Sequence, residues 1–298
     1  MNPKIKDAVL ASFIADAFCL GTHWVYNTFD IENKYGRLDQ MVKPELAPYH
    51  VSKQKGEFTH YGDQMLALLK SVAQKSGFDL NQFASDWQKL FVSYDGYMDH
   101  ATKETLQNFS EGKDPAKSGS LSQDLAGASR MAPLFLIYSQ DLDTFIDNAK
   151  AQTAMTHNQE YVLASAEFFT RTAAKVLEGI RPSKAFEMII NDMPESQFIK
   201  QMVDKGLDSL KENTSKAILE FGQSCSVKDA LPSTIHLIAK YEDNLQEALI
   251  ENVMAGGDSS ARGMLVGLII GCYQGLETIP ENWLNDMKAY KEIVSLIK

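Results

Sequence analysis

Four short stretches of this 298-residue chain gather groups able to move protons or hold cations. They are DAFCLGTHWVYN at 16–27, with His23 and Tyr26, and GEFTHYGDQM at 56–65, with His60, Tyr61 and Asp63. The others are AMTHNQE at 154–160, with His157, and AGGDSSAR at 255–262, with Asp258 and Arg262. In each, the polar groups gather at a helix end instead of spreading along a solvated face. Asp63 and Asp258 place a carboxylate at the head of an apolar helix, where backbone amides and the macrodipole favour negative charge. An isolated aspartate there is ordinarily an N-cap and nothing more. Histidine titrates near neutrality and aspartate can orient it, so an Asp63–His60 or Asp258–His pair suits metal-free acid–base work. The same imidazoles, joined by carboxylates, suit zinc, iron or nickel better than magnesium. Arg262 lies four residues after Asp258, the helical spacing at which a guanidinium can pair with the carboxylate and replace a cation. His50, His100 and His236 have no such partner in the sequence around them. No convincing nucleophile is present, since Cys19 and Cys272 read as buried and Ser259 has no base nearby.

The elements that must position these groups are helical. Apolar residues recur at three and four positions through most of the chain, and strand-like alternation is scarce. The spacing predicts helices over 65–73, 80–94, 142–151, 160–177, 183–191, 198–210, 227–241 and 245–254, with joints at Gly179, Pro182, Pro194 and Gly222. Gly21 reads as the residue that ends the first helix. No βαβ unit, GxGxxG or P-loop occurs. In ARGMLVGLIIGCYQG (261–275), glycines fall at Gly263, Gly267, Gly271 and Gly275, one smooth stripe on a helix. Each interior glycine costs about 0.5–1 kcal/mol against alanine, so tight packing must offset the stripe. Its natural partner is the small-residue face of Ala8, Ala11, Ser12, Ala15 and Cys19. The fold class is all-α, helices around one buried central pair. The chain reads as a single domain over 1–298, because SEGKDPAKSGSLSQ (110–123) is a surface loop rather than a linker.

Composition narrows the functional classes. With 44% hydrophobic and 23% charged residues the chain is globular. A net charge of -10 without any basic stripe argues against nucleic acid as a partner. Three cysteines with no CxxC spacing point to reduced thiols in the cytoplasm. Charges interrupt the apolar start of the chain, which argues against a signal peptide, and the most apolar run, 264–273, is about half a bilayer span.

The four stretches, in this order, resemble the ADP-ribosylglycohydrolase family. DAVLASFIADAF resembles its first helix, GDQMLAL the segment that includes the end of its TDDT motif, and GASRMAPL its NGxxMRxxPL loop. MTH resembles a recurring TH before a long helix. AGGDSSARGMLVGLIIGCYQGLETIPENWL resembles the late GGDTDT motif, the glycine-rich helix and the closing IP-x-x-W. The resemblance implies a single-domain orthogonal helical bundle in which His23, Tyr26, His60, Tyr61, Asp63, His157, Asp258 and Arg262 line one cleft. It implies a hydrolase acting on an ADP-ribosyl or related glycosidic bond, with Arg130 of the GASR loop, Tyr26, Tyr61, His157 and Arg262 contacting an ADP-ribose-like ligand. His23, His60, Asp63 and Asp258 are then the catalytic candidates, and Asp63 and Asp258 the metal candidates.

The family binds two magnesium ions, and here the pattern departs. Its T-D-D-T falls on His60, Tyr61, Gly62 and Asp63; the second aspartate of the late motif falls on Ser260 and the following threonine on Ala261. The glutamate that some members carry seven residues after the first-helix aspartate falls on His23. Magnesium favours about six oxygens, so this set implies at most one divalent cation, magnesium or a transition metal, instead of a pair. Two alternatives stay open: a non-catalytic binding or structural protein like the J1 crystallins that the family contains, and an enzyme for another metabolite that uses the cleft histidines.

Overall fold

The computed structural model describes residues 2–193 and 196–297; the joint expected at Pro194 lies outside the described residues. The chain forms helices α1 (Pro3–Cys19), α2 (Thr28–Tyr35), α3 (His60–Lys75), α4 (Leu80–Leu90), α5 (His100–Ser110), α6 (Ala126–Ser129), α7 (Ala132–Tyr138), α8 (Leu142–Ala154) and α9 (Glu160–Leu177). They continue as α10 (Pro182–Asp192), α11 (Gln197–Asp208), α12 (Thr214–Phe221), α13 (Val227–Lys240), α14 (Leu245–Met254), α15 (Ser259–Gln274), α16 (Glu281–Asp286) and α17 (Tyr290–Leu296). Among the described residues there are isolated β-bridges but no strand. The fold is all-α.

The central pair is α1 with α15, packed antiparallel through the stripe of small residues. A Cβ added at Gly263 would meet Cys19 Sγ at 2.9 Å, one at Gly267 the Ala11 carbonyl oxygen at 2.5 Å, and one at Gly271 the Ala8 Cα at 3.2 Å. Ser12 Oγ donates to the Met264 carbonyl at 2.9 Å, so the one hydroxyl in this seam is satisfied by the facing backbone. Both helices are buried on nearly all sides, which explains why neither carries an amphipathic pattern. Their antiparallel arrangement puts the last turn of α1 beside the first turn of α15.

A third helix end arrives at the same point. Thr59 caps α3 by accepting the Tyr61 N–H at 3.1 Å, and its own N–H donates to Asp16 Oδ2, in α1, at 2.9 Å. Asp258 caps α15 by accepting the Ala261 N–H at 3.2 Å. Several boundaries differ from expectation: α3 begins at His60 rather than 65, and α8 runs to Ala154 rather than 151. α4 ends at Leu90, not 94, because the chain turns through Phe91 as the cap. Gly21 does not end α1 in a left-handed turn, since its φ lies outside the positive range; its missing side chain makes room for Val42.

Candidate functional site

The site lies where α1, α3 and α15 end. Residues 22–25 run from α1 alongside Gly256 and Gly257: Trp24 N–H donates to the Gly257 carbonyl at 2.8 Å, and Gly257 N–H to the Val25 carbonyl at 2.8 Å. Both glycines have positive φ, 66° and 67°, and a Cβ on either would meet neighbouring atoms. Trp24 itself has φ 63°, a left-handed conformation uncommon for a bulky residue. This strained clasp presses His23 toward the head of α15, with His23 Nδ1 3.5 Å from Asp258 Oδ1.

Asp258 is fully buried. Besides the Ala261 N–H it accepts, among the described residues, the Tyr61 hydroxyl at 3.5 Å. Burial pushes its carboxyl up to about 7, with the Arg262 charge and these hydrogen bonds pulling the other way. Arg262 does not pair with it as the spacing suggests. The guanidinium turns instead to backbone and amide acceptors: Nε donates to Asn252 Oδ1 at 2.9 Å, and Nη2 to the Gly256 carbonyl. The i+4 pair fails because the Gly256 carbonyl, unpaired in the glycine turn, is the nearer acceptor. Arg262 is buried and braces that turn, and among the described residues no arginine or lysine pairs directly with the Asp258 carboxylate.

Asp63 points elsewhere. Its Oδ2 accepts Lys53 Nζ at 2.6 Å and the Tyr94 hydroxyl at 2.6 Å, so the Asp63–His60 pair is not formed. His60 faces Asp99 instead, Nε2 to Oδ2 3.4 Å. Burial disfavours the Asp99 charge, yet His60, His157 and the Thr102 side chain together hold its carboxyl below the ordinary range. His157 is buried against Gly127, its Nδ1 2.9 Å from Thr156 Oγ1, and burial lowers it to about 3. Arg130 is buried as well, its fork spanning Gln64 Oε1 and Thr156 Oγ1, with burial lowering it to about 10. Tyr26 is the exposed member of the set, at 47%, and partial burial with the Asp258 charge raises it to about 12.

The structure adds three residues to those expected. His50, from the long loop between α2 and α3, sits among His23, His60 and Trp24, with ring centroids 5.3, 5.4 and 6.0 Å away. Burial lowers it to about 3. Asp99, the N-cap of α5, accepts the Thr102 N–H at 2.6 Å, a pattern visible as aspartate three residues before threonine. Asp16 is fully buried and takes the Thr59 hydroxyl at 2.6 Å, the Thr59 N–H and the Ser260 hydroxyl. No local pattern points to His50. Tyr49 and Tyr97 stand edge-on to Trp24 at 4.9 and 5.2 Å and form the outer wall.

An all-helical scaffold with a buried acid and imidazole centre at the joined ends of an early and a late helix defines the class. Comparison with known proteins agrees. The ADP-ribosylglycohydrolase profile matches residues 2–298, and the chain belongs to that family. It is 23% identical to crystallin J1A of Tripedalia cystophora, over 98% of this chain and 94% of the crystallin. It is 23% identical to the ADP-ribosylhydrolase ARH3 of Mus musculus, over 97% of this chain and 88% of that protein. A solved structure described as an ADP-ribosylglycohydrolase-related protein complex superimposes with a TM-score of 0.76 at 19% identity, covering 99% of this chain and 95% of that one.

The residues present do not fit the magnesium pair that the family fold implies. At the second central aspartate position, Gly62 lies so close to Asp16 that any side chain would collide with its carboxylate. Asp16 already has three donors, Ser260 is one of them, and Asp63 is neutralised by Lys53. Both oxygens of Asp258 also accept hydrogen bonds, from the Ala261 N–H and the Tyr61 hydroxyl, so the six oxygens that magnesium favours are not assembled here.

Proposed function

We propose that this protein is a hydrolase that cleaves an ADP-ribosyl or related N- or O-glycosidic bond, with Asp258 as its proton-transfer group. The carrying observation is the state of that carboxyl: fully buried, met by two long hydrogen bonds, and pushed up to about 7. A group poised there can take a proton from an attacking water and return one to the leaving group. His23, neutral because burial lowers it well below its ordinary range, lies next to Asp258 Oδ1 and suits a relay role. Tyr61 holds the other oxygen in place. In this reading Tyr26, Tyr49 and Tyr97 meet an ADP-ribose-like ligand at the mouth, while Arg130 and Arg262 support the walls from behind. A divalent cation, where one is used, is single and held by imidazole. The three cysteines form no disulfide, which fits a cytoplasmic protein.

A second reading has its own observation. Trp24, His23, His50, His60 and Tyr61 pack together in the space between the three helix ends, as a structural protein on a retired enzyme scaffold would fill it. Hydrolysis of ADP-ribosyl-arginine, ADP-ribosyl-serine and free ADP-ribose derivatives separates the two. The hydrolase reading expects turnover on one of them and a loss of about 10²-fold or more in kcat for Asp258→Asn. Absence of turnover on all three, with no heat on calorimetric titration with ADP-ribose, leaves the structural reading.

A further inference from the structure

Three buried imidazoles converge between the helix ends. His23, His50 and His60 are each 1% exposed, and one ring nitrogen from each lies within 4.8 Å of those from the other two. Among the described residues, none of the six ring nitrogens has a hydrogen-bond partner. A buried imidazole always has at least one N–H to donate and, when neutral, one lone pair to fill, so three orphaned rings together are rare in a settled core. From these contacts we propose that His23, His50 and His60 form a binding site for a single first-row transition-metal dication of the zinc(II) or iron(II) kind.

The surroundings select for such an ion. Zinc–nitrogen bonds of about 2.0–2.1 Å in a tetrahedron place ligand nitrogens about 3.4 Å apart, so the cluster closes by roughly 1 Å through rotation of the rings. Two carboxylates stand beside the rings: Asp258 Oδ1 at 3.5 Å from His23 Nδ1 and Asp99 Oδ2 at 3.4 Å from His60 Nε2. Each can take the N–H of one ring nitrogen and leave the other as a lone-pair donor, the outer support that metal-bound histidines ordinarily have. A dication near two buried carboxylates also offsets negative charge there. Three neutral nitrogens favour borderline-soft metals over magnesium. Three protein ligands leave a fourth position open, as in catalytic rather than structural zinc sites. Of the three, only His60 stands where the family's early motif would supply a ligand; His50 comes from a loop outside every motif.

The test uses the full chain, stripped with a chelator and titrated with cobalt(II) chloride. One equivalent is expected to bind with visible ligand-field bands of low coordination number. His50→Gln, with its fold checked by circular dichroism, should weaken binding at least about tenfold, since losing a ligand costs no less than losing its support. His100→Gln, at an exposed position on α5, should bind as the parent does. Anomalous scattering from cobalt-soaked crystals of the parent protein gives a second readout that does not depend on the variant folding; a peak amid the three rings is expected. Binding unchanged in His50→Gln, no binding in the parent, or an anomalous peak elsewhere would each overturn the site. None of these readouts requires turnover, so the hydrolase reading stands or falls separately.

Discussion

Asp16 is a buried acid that ties the head of α3 and the first turn of α15 to α1. Burial is the largest influence on its carboxyl and pushes it up to about 7 against the pull of Ser260 and Thr59. Unfolding returns it to its ordinary value of 3.8. The folded state therefore holds this proton more tightly than the unfolded chain does. The stability from this group is full below pH 4 and is lost as pH rises through about 7, to a difference on the order of 4 kcal/mol. Asp16→Asn removes that dependence. Chemical denaturation at several pH values should show the variant gaining on the parent between pH 4 and 7 and levelling above; a constant difference would mean that the carboxyl titrates alike in both states. Ionisable groups of this kind were only partly legible in the sequence. Asp258 and His23 stood in recognisable segments, and the structure brings them within 3.5 Å. His50 did not, because a 24-residue loop carries it and its place depends on where Trp24 and Tyr97 pack, not on its neighbours in the chain. The Arg262 pairing was misread for the opposite reason, since helical spacing supplied a partner while the glycine turn supplied a better one.

At the scale of elements, the helices that were long and one-sided declared themselves. α9 and α14 occur over the residues that periodicity marks, and the pairing of the glycine stripe with Ala8, Ala11, Ser12 and Ala15 follows from residue size alone. α6, α12 and α16, of four, eight and six residues, are too short for a 3.6-residue period to show. The stripe also yields a measurable cost. Alanine at Gly267 gains about 0.5–1 kcal/mol in helix propensity. Its Cβ would however lie 2.5 Å from the Ala11 carbonyl oxygen and 2.7 Å from the carbonyl carbon, both backbone atoms that cannot step aside. Overpacking of this kind costs about 1–3 kcal/mol and wins. Gly267→Ala should therefore lower the unfolding free energy by about 1–2 kcal/mol. Gly77→Ala, where the nearest atom is the Tyr138 hydroxyl at 3.6 Å, should change it by less than about 1 kcal/mol. Equal effects at the two positions would mean that the α1–α15 seam can open without penalty.

At the scale of the whole molecule, the two ends of the sequence are tied into one body. α1 packs on α15, and the stretch after α15 then returns to the early loop. Trp283 stacks on Phe18 at 3.8 Å and donates its indole N–H to the Asp39 carbonyl at 2.8 Å. Lys288 N–H donates to the Gly56 carbonyl at 2.8 Å, and Lys55 pairs with Asp286 at 2.8 Å. Gly56, at φ 78°, lies so close to the Asp286 carbonyl that no side chain fits between them. The C-terminal segment thus fixes the strand of loop that leads into Thr59 and His60, and separating either end disturbs the site. A chain connected this way should unfold as one unit, as a single domain does. Its three tryptophans make the test direct, because they sample distant regions: Trp24 the site, Trp87 the α3–α4 contact through Gln64 at 2.8 Å, and Trp283 the return of the C-terminus. With two of the three replaced by phenylalanine in turn, each remaining fluorescence transition should coincide in denaturant midpoint with the far-ultraviolet circular dichroism of the same variant. A Trp24 signal that moves well before loss of helix would instead mark the site as a separately unfolding layer, and the coupling of the chain's ends to the imidazole cluster would then be wrong.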